Sequence, residues 1–389
     1  MPSSPGHPAL ADFGTTIFAT MTQMALEKDA INLGQGFPDT DGPPEVLAAA
    51  VEAITEGRNQ YPPGRGVPEL RRAIAAHQER FYGLTPDPDT EVLVTVGATE
   101  AIAVAMLALV RPGDEVVMFE PYYDSYAATV ALAGGTRRTS VLRFPDLAVD
   151  EASLRAAFSD RTRVVLLNTP HNPTGKVFTR EELELVAELA REHDAWVVTD
   201  EVYEHLTFDG ARHVPMATLP GMVDRTVTIG SGGKTFSATG WKVGWLTGPA
   251  EVVSPAVSLK QFLTFVGSGP FQPAVALGLG LEDAVFDGMA ARLAGQRDRL
   301  VAGLRDAGFE VPVPQGGYFA LADASPLGVT DAVSFCLELP DRAGVVGVPA
   351  SAFHDDPEAG RTVVRFAFCK KDEVLDEGVR RLRTLRATG

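Results

Sequence analysis

EVLVTVGATEAIAVAMLALV (Glu91–Val110) joins a short run of β-branched and aliphatic residues to a glycine turn, and then to a stretch that is apolar on most faces. The first six residues read as a strand and the rest as a turn leading into a helix. The same alternation continues down the chain. EVVMFEP (115–121), RVVLLNTP (163–170), AWVVTDEVY (195–203), RTVTIGS (225–231) and KVGWLTG (242–248) each read as strands. Between two of them, TREELELVAELAREHD (179–194) is a patterned helix with a threonine cap and acids in its first turn. Strands that are apolar throughout and alternate with helices predict an α/β fold. Its central sheet is mostly parallel and covered on both faces. In such sheets ligands bind beyond the carboxyl ends of the strands.

The last hundred residues differ. MAARLAGQRDRLVAGLRDAGF (289–309) and DEVLDEGVRRLRTLRAT (372–388) read as amphipathic helices, GGYFALAD (316–323) and TVVRFAFC (362–369) as strands. This predicts a large domain over 41–285 and a smaller α+β domain over 286–389, with residues 1–40 docked on the latter. A length of 389 residues agrees with two domains. The net charge of −17 argues against a nucleic-acid partner, which needs a basic face. No apolar run reaches a membrane span, and the first residues lack a secretory signal's basic and apolar regions. Two distant cysteines, Cys336 and Cys369, make a disulfide framework or structural zinc site unexpected and fit a reducing cytoplasm.

Unusual polar residues fall at the predicted strand ends. Asn172 lies in NTPHNPTG, Asp200 ends a strand, and Ser231 and Lys234 follow another. The GATEA turn (97–101) offers free backbone N–H groups and a helix dipole for an anion. Each has an ordinary alternative: a helix cap for Asp200, a tight loop for Asn172, a simple strand-to-helix turn for GATEA, an exposed loop lysine for Lys234. A lysine in buried surroundings is rarely structural, and desolvation favours the neutral amine that forms imines.

The order Asn172, Asp200, Tyr203, Ser231, Lys234, Lys242, together with GSGGKTFSATGWKVGW (230–245), resembles the fold type I, class I pyridoxal-phosphate aminotransferases. The likeness runs from INLGQGFPD (31–39) to VVRFAFC (363–369). NQYPPGRG, VTVGATEAI, EPYYDSY, SPAVSLKQFLTF and DEVYEHLTFDGARHVPMA resemble the subgroup of N-succinyldiaminopimelate, bacterial methionine and kynurenine/glutamine aminotransferases, the first most of all.

The resemblance implies roles. Lys234 would form an imine with the cofactor aldehyde and carry a proton between the substrate α-carbon and the cofactor. Asp200 would face the pyridine nitrogen, and Asn172 and Tyr203 the phenolate oxygen. Tyr123 would stack on the ring. Ala98, Thr99, Ser231 and Lys242 would hold the phosphate, joined by Tyr61 of a neighbouring subunit, which implies a homodimer. Arg365 would grip the substrate carboxylate beside Gly36. No metal is implied. The distal pocket would involve residues 13–18, Tyr61 to Arg65 and the partner's Phe265, with Arg65 a candidate cation for a succinyl carboxylate. Many class I members have Ser-x-Ser-Lys or Ser-x-Ala-Lys where this chain has Ser231-Gly232-Gly233-Lys234, so a looser loop is expected. Many also have Arg in place of Lys242. The activity implied is amino transfer between an L-amino acid and a 2-oxo acid, with N-succinyl-LL-diaminopimelate and 2-oxoglutarate first. Kynurenine, glutamine or methionine donors and β-elimination from cysteine conjugates are the alternatives. A ligand-sensing regulator is a remote one, because the roughly thirty residues before INLGQG are too few for a DNA-binding domain.

Overall fold

The computed structural model describes residues 7–11, 13 and 17–388. Of the expected docking segment 1–40, residues 1–6, 12 and 14–16 lie outside the described residues, so Phe13, Ile17 and Phe18 alone represent the 13–18 stretch. In chain order the strands are β1 (Ile31–Asn32), β2 (Val92–Val96), β3 (Glu115–Glu120), β4 (Thr136–Val141), β5 (Thr162–Asn168), β6 (Trp196–Asp200), β7 (Thr226–Ser231), β8 (Val243–Thr247), β9 (Phe319–Asp323), β10 (Val345–Val346), β11 (Val348–Pro349) and β12 (Val363–Ala367).

Seven of them form the central sheet in the order β2-β8-β7-β6-β5-β3-β4. Strand β8 runs antiparallel to both its neighbours, and the other pairings are parallel. The mostly parallel sheet is therefore as the strand–helix alternation requires. Every residue of β3, β7 and β8 is buried, and β3 and β8 accordingly read as largely apolar runs, whereas β7 buries Thr226, Thr228 and Ser231 among its apolar residues. Strand β4, TRRTSV, escaped the sequence reading. It lies at the sheet edge, and its exposed positions, including Thr136 and Arg138, give it no apolar run to notice.

The helix Arg180–Glu192 begins with a capping box. The Thr179 hydroxyl accepts from the Glu182 N–H, and the Glu182 carboxylate accepts from the Thr179 N–H. Its apolar positions Leu183, Val186, Ala187 and Ala190 are buried.

The smaller sheet, β11-β12-β9, is antiparallel. Strand β1 pairs in parallel with β10, Ile31 opposite Val345, and so joins the N-terminal segment to the C-terminal part of the chain. The 25-residue helix Asp283–Ala307 runs across the boundary expected at 285. Among the described residues no helix is long and apolar enough to cross a membrane.

Candidate active site

A cleft of about 490 Å³ opens beyond the carboxyl ends of β5, β6 and β7 and is closed from the other side by β9 and β12. Parallel register puts Asn168 opposite Asp200 at the strand ends. Asn168 donates to the Asp200 carbonyl (2.8 Å), and its side-chain oxygen accepts from the Asn172 N–H (2.7 Å). One asparagine thus fixes both the acid and the turn that carries Asn172.

Asp200 is buried and accepts from the Tyr126 hydroxyl at 2.6 Å. Burial raises its pKa to about 6, while the Tyr126 bond, a backbone N–H from Val202 and the nearby Lys234 oppose that rise. Tyr203 is buried beside it, and burial likewise pushes its phenol far up.

Lys234 lies in the helical turn Gly232–Thr235 that follows β7. Its Nζ is 3.5 Å from the Gly36 carbonyl and 5.7 and 5.4 Å from the ring centres of Tyr203 and Tyr318. Desolvation lowers its pKa, with Arg365 and Lys242 acting in the same direction and Asp200 against. The Tyr318 hydroxyl donates to the Lys234 carbonyl at 2.7 Å and holds the turn.

The glycines before Lys234 correct the expectation of a looser loop. A Cβ on Gly232 would stand 2.7 Å from the Val275 side chain, and one on Gly233 3.2 Å from the Ala238 carbonyl and Thr239 backbone. Gly232 is held to glycine by close packing, Gly233 sits in a tight but less restrictive contact, and both residues are buried.

Facing this turn is the start of the helix Gly97–Leu109. Gly97 takes a left-handed φ of 71°, and a Cβ there would meet Lys242 Nζ at 3.0 Å. Gly244 of β8 approaches so closely that a Cβ would meet the Ala98 nitrogen at 2.6 Å. Lys242, itself left-handed (φ 52°), places Nζ 3.5 Å from Thr99 Oγ1. Ala98, Thr99, Ser231 and Lys242 line one end of the cleft, and Tyr123 flanks it next to Tyr126. Free helix-terminal N–H groups, a hydroxyl and an ammonium form an anion cup.

Arg365 comes from β12 and is only 2% exposed. It donates to Gly34 O (2.9 Å) and Asn172 Oδ1 (3.2 Å) and is sandwiched among the rings of Phe18, Phe319 and Phe353. Burial lowers its pKa only to about 10, so it stays charged at neutral pH. Its Nε is buried and has no hydrogen-bond partner among the described residues.

Gly36 also lines the cleft, against Phe319. Tyr61, Arg65 and Phe265 do not line the cleft. Tyr61 is 81% exposed and meets Phe265 edge-on at 5.4 Å. Arg65 reaches the Thr90 carbonyl (3.4 Å), next to the start of β2 and away from the Val96 end that leads into the cup.

Tyr126, Asn168 and Tyr318 were missed from sequence. Tyr126 had a usable signal, since it lies three residues after Tyr123 and so shares its helix face. Away from the cleft, His77, Glu204 and His205 cluster. The two Nε2 atoms are 2.7 Å apart, a hydrogen bond and shorter than the roughly 3.3 Å that separates two nitrogens on tetrahedral zinc.

The cleft therefore fits pyridoxal phosphate: a desolvated lysine, a buried carboxylate held by a phenol, an anion cup and a buried arginine. Comparison with known proteins agrees. A family profile described as "Aminotransferase class I and II" matches residues 28–382. The chain is 52% identical over 388 residues to a probable N-succinyldiaminopimelate aminotransferase DapC of Mycobacterium tuberculosis (strain H37Rv), covering 97% of each. It is 40% identical over 376 residues to the methionine aminotransferase of Escherichia coli K12, again covering 97% of each. The solved N-succinyldiaminopimelate aminotransferase from Mycobacterium tuberculosis superposes with a TM-score of 0.95 at 52% identity, over 98% of this chain and 100% of that one. The chain belongs to the class I and II aminotransferases, a family of pyridoxal-phosphate-dependent transaminases.

Proposed function

We propose that this transaminase holds pyridoxal phosphate in the cleft described and moves the amino group of N-succinyl-LL-diaminopimelate to 2-oxoglutarate, forming glutamate and the corresponding 2-oxo acid, and in reverse back from glutamate. The 52% identity to a probable N-succinyldiaminopimelate aminotransferase across nearly the whole of both chains carries the substrate choice. When bound, the cofactor supplies an aldehyde to capture the amine and a ring that draws electrons from the α-carbon.

The chain's own residues do the rest. Lys234, whose pKa is lowered by desolvation, takes the proton from the substrate α-carbon and returns it to the product side. Asp200 keeps the ring nitrogen protonated. Asn172 and Tyr203 stabilise negative charge on the phenolic oxygen. Ala98, Thr99, Ser231 and Lys242 take the phosphate. Arg365, whose guanidinium lines the cleft, pairs with the substrate carboxylate next to Gly36.

A homodimer belongs to the same proposal. Tyr61 and Phe262 are 81% and 88% exposed, and Leu263, Phe265 and Leu277 are exposed too. Such apolar side chains suit burial against a second copy, where Tyr61 and Phe265 would reach the partner's cleft.

A second reading has its own support. Among the described residues lining the cleft, the cations are Lys234, Lys242 and Arg365, and each already has a task. Phe18, Phe37, Ile102 and Phe319 leave an apolar wall suited to methionine or kynurenine. A panel of amino donors with 2-oxoglutarate, read as glutamate formed, separates the two. N-succinyl-LL-diaminopimelate should show the highest kcat/KM, and a higher value for methionine or kynurenine would replace the first reading by the second. Pyruvate and ammonia formed from a cysteine conjugate without an oxo-acid acceptor would reveal β-elimination.

A further inference from the structure

Glu100 lies in the first turn of the helix Gly97–Leu109, buried and outside the cleft lining. Its Oε2 accepts from the Val96 N–H at 2.6 Å, and its Oε1 from the Thr264 hydroxyl at 2.5 Å. Lys260, 2% exposed, sits 3.9 Å from the same carboxylate. It donates to Thr264 Oγ1 (3.1 Å) and to the Phe265 carbonyl (3.0 Å). The turn these groups hold is strained, because Phe265 (φ 63°) and Ser268 (φ 56°) are non-glycine residues in the left-handed region. From it the Ser268 hydroxyl reaches the Trp241 and Lys242 carbonyls (2.8 and 3.1 Å). Lys242 is left-handed too and returns to Thr99, one residue before Glu100. The path is a closed circuit that begins and ends on the first turn of one helix.

We propose that Glu100, acting through Thr264 and Lys260, is a positioning residue for the anion cup. It pins the Thr264–Ser268 turn, and the turn holds the Lys242 backbone in the strained form that aims its ammonium at Thr99. This rests on the cup being the cofactor's phosphate site. Left-handed non-glycine residues persist only where surrounding contacts over-determine them. Here the buried carboxylate and Lys260 supply those contacts, so loosening one end should be felt at the other.

The test titrates apoenzyme with pyridoxal phosphate and, separately, with pyridoxal, which lacks the phosphate. Thr264→Val keeps the shape but removes the hydroxyl shared by Glu100 and Lys260. It should weaken pyridoxal phosphate by about tenfold, since it leaves buried polar groups unpaired, and leave pyridoxal unchanged. Thr264→Ser should restore the difference. Ser268→Ala, which cuts the circuit at its other end on a half-buried residue, should show the same selective loss should Thr264→Val fail to fold. Equal weakening of both ligands, or of neither, overturns the proposal. Failure of the unaltered enzyme to bind pyridoxal phosphate would instead overturn the cofactor reading.

Discussion

Replacing Tyr126 by Phe removes one hydroxyl and keeps the ring. The hydroxyl donates to buried Asp200 at 2.6 Å and helps keep its pKa down to about 6. A hydrogen bond to a charged group contributes roughly 1.5–3 kcal/mol, or about one to two pKa units. In the variant Asp200 should therefore titrate at roughly pH 7–8, and at neutral pH its ionised fraction should drop severalfold.

The sign for stability follows from linkage. Asp200 is raised from 3.8 unfolded to about 6 folded, so the folded apoprotein binds this proton more tightly. The stabilisation is complete below about pH 4 and is lost as pH climbs to about 6, roughly 3 kcal/mol in all. A cation set against Asp200 offsets that loss, which ties cofactor affinity to Asp200 ionisation. The assay is the dissociation constant of pyridoxal phosphate from apoenzyme across neutral pH, for both proteins. The cofactor's own titration is common to both and cancels. The pH at which affinity rises should move up by about one to two units in Tyr126→Phe. Coincident midpoints would refute the claim that Tyr126 holds the Asp200 charge.

Lys234→Ala should lose on the order of 10²–10⁴ in kcat with the cofactor still retained, and borohydride should no longer fix the cofactor to the chain. Lys242→Ala should mainly raise the cofactor dissociation constant, and equal behaviour of the two variants would sink the division of labour between them. Arg365→Lys loses the planar fork in a ring-lined slot, so kcat/KM should fall by about tenfold to a hundredfold across all amino donors, measured at saturating cofactor. Gly232→Ala pushes a methyl to 2.7 Å from Val275 and should destabilise by about 1–3 kcal/mol in thermal or denaturant unfolding.

Much of the central sheet was legible because strands buried on both faces are mostly apolar. The β3, β5, β6 and β8 segments therefore announce themselves without their partners. Edge strand β4 did not, since one pairing and an exposed flank impose no such pattern. Lys234 and Asp200 drew notice because both are costly to bury, but singly each also had an ordinary reading; their order with Asn172, Tyr203, Ser231 and Lys242 carried the resemblance that proposes their roles.

What the chain alone could not settle is who holds whom. Asn168 reads as the last residue of a strand, yet it fixes both Asp200 and Asn172. Tyr318 reads as a strand residue, yet it holds the Lys234 carbonyl across 84 positions. Glycines 232 and 233 suggested looseness and proved to be tight packing against Val275 and Ala238, because free volume belongs to neighbours that local sequence does not name. Residue type set the chemical repertoire, since only a few side chains can lose a proton, hold an anion or grip a carboxylate. Tertiary structure decided their use, because pKa, orientation and pairing depend on desolvation and on partners brought together from as far apart as Gly34 and Arg365.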